Sequence, residues 1–234
     1  MHCISDASEG KSEANVSDTF LVAARIPMTR ESFEAWLSTP ASDLSRITNP
    51  ADMFDGWFWN GGNADRKWDS VDAGITPREF FSEGIEDACS GKSSDGCIVL
   101  HRDGALEAYL FHFGYEEWSV HTALLMFAAA GEFKSEDTED TVLFWAETGG
   151  NLPEADDDGW LAVLSVGRSE ARFVAERDLT DTVAGLRPVE SRFFDMVERL
   201  GEEEESWDPD SGRDFHTETP RDPAFVDPAV LEGA

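Results

Sequence analysis

The dipeptide Asp103-Gly104 falls between two apolar runs, Cys97 to Arg102 and Ala105 to Phe113, and this arrangement constrains the fold more than any other feature of the chain. A two-residue turn that matches strand twist needs positive φ at its centre. Gly adopts that conformation freely and Asp tolerates it, so the pair predicts a β-hairpin. Leu106 to Phe113 is apolar on both faces, which predicts a central position in the sheet.

Signals on either side of the hairpin are local and consistent with one another. Thr19 to Ile26 reads as a strand ended by Pro27, and a helix follows with Thr29 as cap and Phe33, Trp36 and Leu37 at i, i+3, i+4 spacing. Thr76, Pro77 and Glu79 form a capping box for a second helix, with Phe80, Phe81, Ile85 and Ala88 as its apolar face. Trp118 to Ala130 reads as a mostly buried helix closed by Gly131. Thr141 to Glu147 and Gly159 to Val166 read as strands, and Gly167 to Glu170 turns the chain into a further strand, Ala171 to Glu176. In Pro188 to Leu200, Val189, Phe193, Met196, Val197 and Leu200 share one helical face while Glu190, Arg192, Asp195 and Arg199 share the other, and Gly201 ends the helix. Two hairpins with helices inserted between strands predict an α+β fold, a mainly antiparallel sheet with about four helices packed on it.

With 234 residues, 16 Phe and 8 Trp the chain can bury one sizeable core. The expected organisation is a flexible segment over 1–18, a single α+β domain over 19–200, and an acidic, Pro-containing tail over 201–234, extended or partly disordered. The longest apolar run, Ala123 to Ala130, falls far short of the roughly 20 residues of a membrane span. Met1 to Asp18 lacks the basic start and apolar stretch of a secretory signal, so the expected location is cytoplasmic, with no membrane partner. Three cysteines do not suggest a disulfide scaffold, although Cys89 and Cys97 bracket a loop and can pair in an oxidising compartment.

Charge narrows the function. The chain holds 49 Asp and Glu against 18 Lys and Arg, a formal net charge of -31. Residues 201–234 contribute 11 acids and 2 bases, so most of the excess belongs to the first 200 residues. Carboxylates at this density repel phosphate backbones and anionic lipids, and steer basic proteins inward at rates that fall with salt. Direct nucleic-acid binding is therefore not expected.

Catalytic and metal signatures fail on inspection. Gly91-Lys92-Ser93 ends like a phosphate-binding loop, but Glu86 stands where glycine is required, and a helix precedes the segment instead of following it. His101-Arg102-Asp103 spells a kinase catalytic triplet, yet Ala108 occupies the metal-ligand position and Asp103-Gly104 makes the better turn. His101, His112 and His121 with Cys97 fit no structural zinc spacing. Asp208, Asp210 and Asp214 surround Gly212, but that glycine comes one position early for a calcium loop and Thr219 replaces its closing Glu. No cofactor and no metal are expected. Trp57, Phe58, Trp59 and Trp68 suit core packing, a sugar platform or an interface anchor.

These features favour a non-enzymatic protein that neutralises a basic protein partner, as an immunity protein or inhibitor of a nuclease-like toxin would. The expected contacts are Asp156, Asp157 and Asp158 in one loop, Glu136, Asp137, Glu139 and Asp140 before a strand, and Trp57 or Trp59 as anchor. An enzyme with a dispersed site, acidic for solubility or salt adaptation, is the alternative. A DNA-mimic decoy is a third.

Overall fold

A computed structural model describes residues 20–41, 43–54, 68, 74–82, 96–111, 117–146, 152, 160–174, 179–206, 208 and 225–232. Its centre is the hairpin. Strands β2 (Gly96–Arg102) and β3 (Ala105–Phe111) are joined by Asp103 at φ 50° and Gly104 at φ 74°, the two positive values that a twist-matched two-residue turn requires. With β1 (Phe20–Pro27), β4 (Asp140–Ala146), β5 (Trp160–Val166) and β6 (Ala171–Phe173) they form a six-stranded antiparallel sheet in the order β2-β3-β1-β4-β5-β6.

Alternation along each strand sends side chains to two covered faces. Val22, Ala24, Ile26, Leu106, Ala108, Leu110, Val142, Phe144 and Leu164 belong to one cluster. It is completed by α1 (Arg30–Leu37), α2 (residues 77–82) and α3 (Glu117–Ala130). Leu21, Ala23, Ile98, Leu100, Tyr109, Leu143, Trp145 and Val163 face the other way, against Leu186, Val189, Phe193 and Met196 of α4 (Thr180–Glu205). The class is α+β as expected. Helices on both faces explain why β3 is buried on both of its own.

The local helix signals translate directly into hydrogen bonds. Thr29 Oγ1 accepts from Ser32 N at 3.1 Å, and Phe33, Trp36 and Leu37 are buried behind that cap. Thr76 and Glu79 exchange reciprocal bonds of 2.8 and 3.2 Å, leaving Phe80 and Phe81 on the core side. In α3 every side chain from Ser119 to Ala130 is buried, which fits a helix surface that is apolar apart from Ser119, His121 and Thr122. Gly131 begins a 3-10 turn (Gly131–Phe133), and a Cβ there would lie 2.1 Å from the Gly167 carbonyl oxygen, so the position is closed to larger residues.

Arg46 is buried at the end of the 3-10 turn Leu44–Arg46 and ties α3 to the β5–β6 turn. Its guanidinium donates to the carbonyls of Ala128, Gly167, Arg168 and Ser169 at 2.6–3.2 Å, and to Glu132 at 3.1 Å. Burial pulls its pKa down, with Glu132 opposing.

Two expectations for the C-terminal third are corrected. Helix α4 starts at Thr180, so Pro188 lies inside it instead of opening it, and it continues through Gly201 to Glu205. Pro188 is exposed, which lets solvent reach the carbonyl its ring leaves unpaired, while Leu186 and Val189 on either side are buried against the sheet. Second, residues 225–232, read as tail, pack in the core. Phe225 joins one cluster and Val226, Ala229 and Val230 the other, so the segment wraps the β2 edge. Val226 bridges Val99, with Asp227 N donating to Val99 O at 3.0 Å. Residues 209–224 lie outside the described residues. The opposite edge, β6, is met by Ile47 bridging Ala171.

Asp227 fixes this segment. It caps α5 (Pro228–Leu231) by accepting from Ala229 N at 3.0 Å, accepts from His101 N at 3.2 Å, and takes a bidentate pair from Arg30 at 2.5 and 2.8 Å. Burial alone would raise its pKa. The bonds from Arg30, Ala229 and His101 outweigh that and hold it below the ordinary 3.8. Its stabilising contribution is therefore present above pH 3.8 and is lost as pH falls below it, through the lower folded-state value. Asp227→Ala is expected to lower unfolding free energy in urea at pH 7 by about 2 kcal/mol, and the difference from wild type should shrink as titration proceeds below pH 3.8.

Candidate acidic interaction surface

Among the described residues, several cations are placed as internal ties. On the α4 side of the sheet, Glu107, only 3% exposed, sits opposite Arg25 at 3.4 Å and accepts from Arg192 of α4. On the other side Lys134 is wholly buried, donating to Thr138 O and to Val166 O at 2.9 Å, and pairing with Asp140 at 2.6 Å. Arg187 pairs with the buried Glu190 at 2.6 Å, Arg172 reaches Glu139 at 3.5 Å, and Arg199 lies 4.6 Å over the Phe225 ring. Arg78 donates to Glu232 O and Ser38 Oγ.

This distribution divides the expected acidic residues before β4 into two pairs. Asp140 is half-buried against Lys134, and burial pushes its carboxyl above the ordinary value against the pull of that ammonium. Glu139 accepts from Ser165 Oγ at 2.8 Å and faces Arg172. Both are engaged within the fold. Glu136 and Asp137 are exposed in the turn between them and the 3-10 segment, and Asp137, 91% exposed, is 3.9 Å from Arg168. Asp156, Asp157, Asp158, Trp57 and Trp59 lie outside the described residues. Of the aromatic group, Trp68 is described: its ring stacks on buried His121 with centroids 4.6 Å apart, and its Nε1 donates to Pro50 O at 2.8 Å. It serves packing.

Helix α4 adds a surface that the periodicity reading did not isolate. Glu190 and Arg192 were expected outward with Asp195 and Arg199. Glu190 instead accepts from Leu152 N at 2.6 Å, because that leucine covers the flank of the helix, and Arg192 turns inward to Glu107. Val197, expected in the core, is 47% exposed, one step round from Met196 at the border of the buried arc. Phe194 is 37% exposed. Asp181, Asp195, Glu198 and Glu202 are exposed along the same helix. The signal for this surface was available as the aromatic at 194, one residue off the buried face.

The described histidines and cysteine pack within the fold. His101 Nε2 lies 2.9 Å from Met28 O with its ring against Phe33, and Cys97 is buried on the same strand. Among the described residues, no group of three or more His, Cys, Asp or Glu is placed to hold a metal ion, and no helix is long and apolar enough to cross a membrane. No protein-family model matches this chain, and neither curated proteins nor solved structures show significant similarity to it.

The two kinds of carboxylate should separate on substitution. Asp140→Ala strands a buried ammonium and is expected to cost about 3 kcal/mol in chemical denaturation. Glu136→Ala and Asp137→Ala are expected to stay within about 0.5 kcal/mol of wild type.

Proposed function

We propose that this is a non-enzymatic binding protein that neutralises a basic protein, as a cytoplasmic immunity protein or inhibitor of a nuclease-like toxin does. The observation that carries this reading is the placement of the cations. Arg25, Arg46, Lys134, Arg187 and Arg192 are each spent on a carboxylate of the same chain, and all five have their charged groups directed into the fold. Among the described residues, the exposed carboxylates, those at 136, 181, 195, 198 and 202 among them, then outnumber the exposed Arg30, Arg168 and Arg172 and leave the surface net negative.

A protein that acts on nucleic acid carries a cationic groove shaped for phosphates. A domain with outward carboxylates can fill such a groove, and its long-range field speeds encounter before the groove reaches its substrate. The same field disfavours nucleic acid and anionic membranes as direct partners. Within this reading Glu136 and Asp137 remain candidate contacts, and Asp156 to Asp158, Trp57 and Trp59 retain their proposed role. Glu139 and Asp140 act indirectly, by holding the turn.

The test is a pull-down of basic proteins from the source cell's lysate at low salt, eluted with a NaCl gradient. One stoichiometric cationic partner is expected, with log affinity falling as log salt rises. Diffuse capture of many basic proteins, or of none, overturns the reading. A companion measurement separates salt adaptation: a salt-adapted protein unfolds as NaCl is lowered, whereas this one is expected to keep its unfolding midpoint nearly unchanged between about 0.5 and 0.05 M NaCl.

A further inference from the structure

Resting on the basic-partner reading above, we propose that the outward face of α4, centred on Phe194 and Val197, is the surface on which that partner docks. The partner supplies an apolar side chain to this centre and Lys or Arg to its acidic border.

The two residues are the large hydrophobic side chains exposed among the described residues, and they stand three positions apart on one helix. Positions three and four apart are neighbours on a helix surface, so Phe194 touches the rows of Val197 and Glu198, and Val197 the row of Gly201. At Gly201 nothing lies within 4 Å of where a Cβ would stand, which leaves the surface open beside Val197. Asp195, Glu198 and Glu202, all exposed, run along one side of this apolar strip. Apolar centre and charged border are the ordinary anatomy of a protein interface.

The sign of the border selects the occupant. Of the three arginines in the described stretch of α4, Arg192 turns inward to Glu107 and Arg199 lies over the Phe225 ring, while Arg187, two turns before Phe194, is held by Glu190. A second copy would bring the same carboxylates across a twofold axis, with like charges opposed. A cationic protein meets opposite charge along the whole border.

The test uses the full chain and two synthetic probes with equal numbers of lysines: an amphipathic helical peptide with leucines on its other face, and a lysine homopolymer. By fluorescence anisotropy at ~0.15 M salt, the amphipathic peptide is expected to bind at least about tenfold tighter than the homopolymer. F194S/V197S should abolish that advantage and leave homopolymer affinity unchanged, while D195N/E198Q/E202Q should weaken both probes and flatten their salt dependence. E31Q/E170Q, at exposed positions on α1 and the β5–β6 turn, should keep the advantage. Urea midpoints near wild type confirm that the variants are folded, which their exposed positions favour.

Survival of the advantage in F194S/V197S overturns the assignment, as does its loss in E31Q/E170Q; either result leaves the basic-partner reading to the pull-down. Sedimentation showing a dimer that F194S/V197S dissociates would assign the face to a second copy and overturn the proposal as well.

Discussion

Self-repulsion among 49 carboxylates works against a compact state, and several of the described cations are spent where the backbone needs them. Arg46 shows the principle most fully. One guanidinium, with its five donors, gathers carbonyls from two regions of chain, the end of α3 and the β5–β6 turn. Lys134 performs the same service for the entry to β4, and Arg30 for the segment that closes the β2 edge. Each buried charge is matched by carbonyls or a carboxylate, which a lone buried ion would require.

The sheet gains from this economy. Because β1 is central and both faces are covered, alternate residues of the same strand join separate hydrophobic clusters, and α4 is anchored to its face by apolar contacts and by Arg192 on Glu107. The polar anchor sits on the strand row where Arg25, Glu107 and their neighbours replace apolar side chains.

Local signals were legible in the sequence because their partners lie within a few residues. Asp103-Gly104, the Thr29 cap and the Thr76–Glu79 box each close on themselves, and each forms. Non-local decisions were not. Pro188 looked like a helix start because its missing N–H is harmless there, but burial of Leu186 extends the helix upstream of it. Phe225-Val226 and Ala229-Val230 are too short to show a period, and their place in the core depends on Val99 and Arg30, far away in sequence. The candidate acidic surface was partly legible. The excess of carboxylates is read from composition, while the division between Asp140, committed to Lys134, and Asp137, turned outward, depends on a lysine whose burial no local pattern reveals.

The return of residues 225–232 to the β2 edge bears on how the protein is made. Strand β2 leaves the ribosome with its hairpin partner, well over a hundred residues before Asp227 and Val226 reach Val99 and Arg30. Through that interval the strand is complete but its outer row of backbone groups is open to pairing with another nascent chain. The strong negative charge of the growing polypeptide opposes such encounters, so the same carboxylates that shape the finished surface also act as a kinetic guard during synthesis.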